Sequence, residues 1–400
     1  MAAQIGNTNL NNLDKSGWKT YRFEHIAKSI SERVDPNNTD LKIYVGLEHL
    51  DAENIHIKRY GTPDDVDGQK LRCYPGDVIF GKRRAYQRKA ALVDFDGFCS
   101  AHAMVLRANP TVIDPRLFPF FLHSDTFMHR AIDISVGSLS PTINWGTLKT
   151  QEFLLPPKDQ QAKLAELLWA MDAVVEKEMR IIEKILVLEN TLHKDAIDYG
   201  YGSNSKALPN NWGFCKIKDI SIIQAGATPL RENKHFFDGG TIPWVKTLDL
   251  NSGSILKTEE LITDLALKET SCKKRPINTV LVAMYGGFNQ IGRTGLLQIE
   301  AATNQAISAI MVDESKINPK FLQHVLNAKI GYWKTVAISS RKDPNITKSD
   351  VENFPIPLPP LDKQLEIVKK INVILSIKQT CKSKTTVSKS LQKSLINQIF

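Results

Sequence analysis

Four hundred residues allow two or three domains with substantial cores. A composition 42% hydrophobic and 24% charged, without low-complexity blocks, excludes a disordered or fibrous chain. The net charge of +9 suits a polyanionic partner, and no apolar run approaches the roughly 18 residues that span a membrane, so no membrane partner is expected.

The chain opens with MAAQIGNTNLNNLDKSG, a polar stretch expected to be a flexible tail and not a signal peptide. From Trp18 to Pro157 short strand-like runs follow (LKIYVGL, NIHIKRY, DVIF, KAALVDF, HAMVLRA), separated by turn sequences such as DPNN, YPGD and DFDG. That alternation predicts a β-rich unit, with a helix near DPRLFPFFLHS. Five dispersed cysteines, Cys73, Cys99, Cys215, Cys272 and Cys381, form no CxxC pair and read as reduced thiols of a cytoplasmic protein.

After Pro156-Pro157 the chain runs about forty residues without Gly or Pro. Leu164, Leu168, Met171, Val175, Ile182, Ile185 and Leu192 fall on alternating steps of three and four, with Glu178 and Glu189 filling two slots. Leu167, Val174, Ile181 and Leu188 form a parallel row every seven residues. Such persistence predicts an amphipathic helix roughly 60 Å long, packed along its length on another helix. YGYGSN at 199–204 ends it in a hinge-like linker.

Residues 212–360 then replay the first unit. Trp212 answers Trp18, NTVLVAM answers GDVIFGK, SKINPKFLQHVLN answers TVIDPRLFPFFLH, and DPNITKSDVENFPIPLPP answers SPTINWGTLKTQEFLLPP. The last segment repeats the helix at an offset of 203. Pro157, Asp159 and Gln161 match Pro360, Asp362 and Gln364, and the seam Ile367, Ile371, Ile374, Leu395 and Ile399 continues the pattern. Its middle is polar, with Lys378, Thr385 and Ser388 where the first copy has Val175, Ile182 and Ile185. Residues 158–198 hold six Lys/Arg and nine Asp/Glu, whereas 361–400 hold eight Lys and two Asp/Glu. Opposite signs favour pairing of the two helices with each other. The other reading is two separate helices, each capping its own domain. A repeated framework with different loops is the pattern of a duplicated scaffold carrying two recognition surfaces.

Catalytic motifs are few. Gly76-Asp-Val-Ile-Phe-Gly81-Lys82 matches GxxxxGK, but Val78, Ile79 and Phe80 are strand formers and Arg83 stands where a magnesium ligand is needed. No His/Cys cluster has metal spacing, and His102 beside Cys99 reads as a packed residue. No metal, cofactor or catalytic residue is expected, which points to a binding protein. The candidate DNA-binding elements are loops at matching places. The first, GKRRAYQRKA, carries Lys82, Arg83, Arg84, Tyr86, Gln87, Arg88 and Lys89; the second, MYGGFNQIGR, carries Tyr285, Asn289, Gln290 and Arg293. Arg, Asn and Gln can pair bidentately with purine edges, and Lys suits phosphate. Lys273, Lys274 and Arg275 form a further basic place, and Arg341 and Lys342 another.

The paired Pro-rich helix starts LLPPKDQQ and PLPPLDKQ with their long helices, the doubled strand–loop element PGDVIF/NTVLVAM…GR, and the shorter helix starts DPRLF and NPKFL resemble the DNA-specificity subunit of a Type I restriction-modification enzyme, over residues 18–400. The resemblance implies an α+β fold of two target-recognition domains. These would be 1–157 (with 1–17 as tail) and 205–360, joined by spacer helices at 158–204 and 361–400 that form an antiparallel intramolecular coiled coil with pseudo-two-fold symmetry. It implies double-stranded DNA as a partner, two modification (methyltransferase) subunits docked on the helices, and restriction/translocase subunits reached through the complex. Methylation, translocation and cleavage would belong to those other chains. Two different loops in one frame then predict an asymmetric split site with an unread gap. The rival readings are an interaction scaffold that binds no DNA, and a nucleotide-dependent enzyme using Gly76–Lys82.

Overall fold

The computed structural model describes residues 14–197, 208–287, 289–337 and 345–400. The tail through residue 13, the YGYGSN linker, Phe288 of the second loop, and Arg341 and Lys342 lie outside the described residues. The chain divides into two compact units, and the first is not a continuous stretch. It comprises residues through Ile181 together with Cys381–Phe400; the other is Ile182–Thr380.

The first unit is built on a four-stranded sheet in the order Ala27–Ile30, Met104–Ala108, Val78–Phe80, Ala90–Leu92, all antiparallel. A second sheet (Arg33–Val34, Lys70–Cys73, Gly97–Cys99, Tyr44–Val45) covers one face. Val78, Ile79 and Phe80 are all fully buried. Successive side chains in a strand point to opposite faces: Val78 and Phe80 enter the core beneath the helices Phe118–His123 and Asp125–Asp133, while Ile79 packs between the sheets with Val45, Leu71 and Val105. A strand apolar at every position therefore sits at the centre of the unit.

The second unit repeats this frame. Ser221–Ala225, Ile307–Val312, Val280–Ala283 and Thr294–Leu297 lie in the same antiparallel order, with Ser254–Ile255 added at the edge. Val280 and Val282 face one core, Leu281 and Ala283 the other.

Each long helix is 39 residues, Lys158–Ala196 and Leu361–Ile399, and each begins in the same way. A strand pair leads into it: Lys19–Arg22 with Glu152–Leu155 in one unit, Gly213–Lys216 with Pro355–Leu358 in the other. A buried glutamine then fixes the first turn. Gln161 accepts from Asp114 N (2.6 Å) and donates to Val112 O (2.9 Å) and Pro156 O (2.8 Å). Gln364 accepts from Asn318 N (2.8 Å) and donates to Lys316 O (3.0 Å) and Pro359 O (2.8 Å). Three satisfied bonds explain why a long amide is tolerated in a core.

The helices pack against one another within each unit. In the first, Leu164, Leu168 and Val175 are buried and Met171 half-buried, and Leu395, Ile396, Ile399 and Phe400 complete the same core. In the second, Ile367 and Ile371 are buried beside Phe321 and Val325, with Leu192 half-buried against that core. Asp172 meets Gln392 (3.2 Å) and Glu178 meets Lys384 (3.6 Å), so rising numbers in one helix face falling numbers in the other. They run antiparallel. The apolar seam thins towards Ile182, Ile185 and Ile374, which are no longer fully buried. There polar residues replace it: Lys378 Nζ holds both carboxylate oxygens of Glu189 at 2.7 and 2.6 Å, and Thr385 is buried. The two glutamates and the polar run of the second helix are thus complementary. The parallel row is a correction to the periodicity: Val174, Ile181 and Leu188 are exposed, and only Leu167 packs on a core.

Candidate nucleic-acid interface

The GxxxxGK match resolves into turn and strand. Gly76 occupies a turn with φ +92°, Asp77 is buried in an ion pair with Arg107 (2.6 Å), and Val78–Phe80 is the central strand. No helix follows Lys82, only a single 3-10 turn at Ala85–Gln87. The open backbone cradle and the following helix that a phosphate loop needs are both missing.

The first basic loop has an inward and an outward side. Arg84 and Arg88 bracket the 3-10 turn with left-handed backbones, φ +56° and +52°. Such residues persist where neighbouring bonds hold them. Arg88 supplies several: it pairs with Asp125 (2.7 Å) and Glu53 (3.1 Å) and donates to His123 O (3.0 Å). Lys89 Nζ donates to Leu47 O (2.6 Å). These two cations fasten the loop to the unit. Arg83, Arg84 and Tyr86 face solvent, and Gln87 and Lys82 are half-exposed. Burial and the neighbouring Arg33 lower the pKa of Lys82. His102 lies 3.4 Å from Arg83; its burial, then the charges of Arg83, Lys82 and Lys70, lower its pKa too. Arg33 and Lys70 therefore join one positive field around His102 that linear spacing could not assemble, because they come from two other strands.

The second loop is shaped by glycine. Gly286, Gly287 and Gly292 all have positive φ (+116°, +78° and +77°). A Cβ on Gly292 would stand 2.1 Å from the Trp333 ring, and one on Gly286 2.2 Å from the Gln290 amide oxygen. Tyr285 and Asn289 are exposed, Gln290 is half-buried, and Arg293 is likewise only partly covered. Of the other basic place, Lys273 is exposed and Lys274 lies 3.8 Å from Glu300. Arg275 is buried, donates to Ala225 O (3.1 Å) and bonds Gln224, so it holds the unit together from inside.

Both loops hang on equivalent backbone bonds, Ile143 N to Lys82 O (2.9 Å) and Ile346 N to Met284 O (3.0 Å). The first unit is further bound to its helices by polar contacts absent from any sequence pattern. His56 meets Asp172 at 2.6 Å, Lys58 meets Glu176 at 3.0 Å, Lys393 meets Glu53 at 2.6 Å, and Asn397 donates to Asp125 at 2.6 Å. Among the described residues no three His, Cys, Asp or Glu side chains are grouped to hold a metal, and no helix is long and apolar enough to cross a membrane.

The family model for the Type I restriction modification DNA specificity domain matches twice, over residues 15–187 and 209–386. The chain is 26% identical over 264 residues to the MjaIX specificity subunit of a Type I restriction enzyme from Methanocaldococcus jannaschii; that match spans 60% of this chain and 58% of the archaeal protein, somewhat more than half its length. The HindI specificity subunit of Haemophilus influenzae is 19% identical over 75% of this chain and 80% of its own. The crystal structure of the S subunit of a Type I restriction-modification system from M. genitalium shares the fold, with a TM-score of 0.59 and 13% identity over 96% of both chains. With two family domains together covering most of its length, this chain belongs to the Type I restriction-modification DNA specificity family.

Proposed function

We propose that this chain is the non-catalytic reader of a Type I restriction-modification complex and recognises a split, asymmetric DNA site, one half per target-recognition domain. The observation that carries this reading is one frame used twice with two unlike loops. Sheet order, glutamine lock and loop anchor repeat, while an arginine-rich loop in one copy stands where a glycine-rich loop with Asn289 and Gln290 stands in the other. Arg83, Arg84, Tyr86 and Gln87 then contact one half-site, and Tyr285, Asn289, Gln290 and Arg293 the other. Lys82, Lys273, Lys274, Arg341 and Lys342 neutralise phosphate. Arg88, Lys89 and Arg275 act from behind, holding those surfaces in place.

The recognition domains are 1–157 and 205–360, and the helices at 158–204 and 361–400 space them and dock two modification subunits. Support for the docking comes from aliphatic side chains left in water outside the seam, among them Val174, Ile181, Leu188, Leu365, Val373 and Ile377. Restriction subunits join through that complex. The test is strand-specific methylation mapping in cells expressing the chain with its neighbouring subunits, followed by gel retardation on the mapped duplex across salt. Two unlike half-sites with a fixed gap are expected; a single continuous or palindromic site would overturn the reading.

A further inference from the structure

The segment Ser135–Asn144 of the first unit, SVGSLSPTIN, contains no charged residue. It folds back as a hairpin, Val136 N to Thr142 O (3.0 Å) and Thr142 N to Val136 O (2.9 Å), turned at Gly137 with φ +114°. Two more bonds stitch it to the cationic loop: Arg84 N donates to Pro141 O (2.7 Å) and Ile143 N to Lys82 O (2.9 Å). Its tip carries Leu139, 93% exposed, between Ser138 and Ser140, and Val136 at the paired base is 69% exposed. The hairpin is thus pinned at its base and bare at its end.

Two aliphatic side chains held in water mark a contact surface. Arg83 and Arg84, both solvent-facing, leave the backbone junction at the base of this hairpin, three and two residues from Leu139 along its second arm. Duplex DNA offers both chemistries at once, phosphates and base edges for guanidinium groups and the faces of stacked bases for an aliphatic side chain. Apolar wedges beside arginines are a known way to part a base step. We propose that Leu139, backed by Val136, enters the base stack at a step beside the base pairs met by Arg83 and Arg84. The first unit then senses how easily that step opens as well as which edges it shows. Pyrimidine–purine steps unstack most readily, so the half-site read by this unit carries one at the wedge position. This inference rests on the DNA-recognition reading above.

The test uses the full chain, assembled with its modification subunits, on duplexes of the mapped site. 2-Aminopurine replaces single adenines other than those methylated, and pyrrolocytosine single cytosines. The expected result is a fluorescence rise at one step of the half-site whose preference Arg84→Ala relaxes. Leu139→Gly abolishes that rise and weakens binding to the site with the salt slope unchanged, because no phosphate contact is lost; Leu139→Phe keeps it. If the parent shows no rise at any step while Arg84→Ala still relaxes that half-site, the wedge is refuted and the recognition reading stands. If Leu139→Gly binds DNA normally but no longer assembles with modification subunits, the hairpin is a protein contact and the wedge is likewise refuted. If Arg84→Ala leaves both half-sites unchanged, the recognition reading itself fails.

Discussion

Arg84 and Arg88 differ by four positions and by which way they face. Arg84→Ala removes a solvent-facing guanidinium, so it should cost about 1–3 kcal/mol at one base pair and relax one half-site. Asn289→Ala should do the same in the other half. Binding to a panel of single-base variants of the mapped site checks both, and a shift in both halves from either substitution would contradict separate readers. Arg88→Ala should instead lower the thermal midpoint of the chain, because it removes the guanidinium that ties the loop to Asp125, Glu53 and the His123 carbonyl, while those carboxylates keep Asn397 and Lys393. A basic run in sequence gives composition but not orientation. The partners that turn Arg88, Lys89 and Arg275 inward are a carbonyl on residue 47 and side chains on residues 53, 125 and 224, none of them near in the chain. Buried histidines add a pH dependence at this scale. Burial lowers His123 and His324 to about 4, against 6.5 when unfolded. Between those values the unfolded chain takes up protons that the folded chain refuses, so stability falls as pH drops, by roughly 3 kcal/mol for each group. His56 has the opposite sign. Its bond to Asp172 raises its pKa, and that contribution, full below 6.5, is lost as pH rises through the folded value. Denaturant midpoints should therefore decline on both sides of a near-neutral optimum, and His56→Gln should flatten the alkaline side alone. A midpoint that rose from pH 6 to pH 5 would contradict the assignment.

At the scale of the element, the long helices could be read from spacing because a seam imposes its period on the sequence for thirty residues or more. The matched glutamines could be seen as a repeat, but their bonds to the preceding Pro-Pro turn could not. The seven-residue row misled for a physical reason. A period of seven fits any stripe along a helix, including one that faces outward to a partner, and only burial tells them apart. Leu168→Glu or Ile371→Glu should weaken both the folded chain and its assembly, since a carboxylate in an apolar seam costs several kcal/mol without a partner. Unchanged melting and unchanged assembly in both variants would sink the seam. Glu178 offers the converse. Its carboxylate is buried without a hydrogen bond, and its ion-pair partner, Lys384, is 3.6 Å away and mostly solvent-exposed. Glu178→Leu should raise the stability by about 1 kcal/mol or more, while Glu189→Leu, which strands Lys378, should lower it. Calorimetry on the two variants separates a tolerated charge from a required one.

For the whole molecule, the division of the chain departs from its order: the last twenty residues belong to the unit that the first half begins. Leu395, Ile396, Ile399 and Phe400 fill the core around Phe121, Phe127 and Leu168, and exposing each such side chain costs about 1.5–3 kcal/mol. Deleting 381–400 should therefore loosen the first unit and spare the second. Limited proteolysis followed by mass spectrometry should show early cuts confined to residues before 181, and equal resistance in both units would contradict this. Composition hinted at the arrangement through the opposite charges of the two helices, but contributions to a core from well over two hundred residues away leave no local pattern. That same closure sets a clock during synthesis. At about 5–20 residues per second, the ribosome finishes the first unit's globular part roughly ten to forty seconds before it releases the segment that seals its core. The second unit, contiguous from Ile182 to Thr380, has every residue it needs before then. The half begun first is thus closed after the second, and a nascent chain stalled before Leu395 leaves the apolar face around Phe121, Phe127 and Leu168 open.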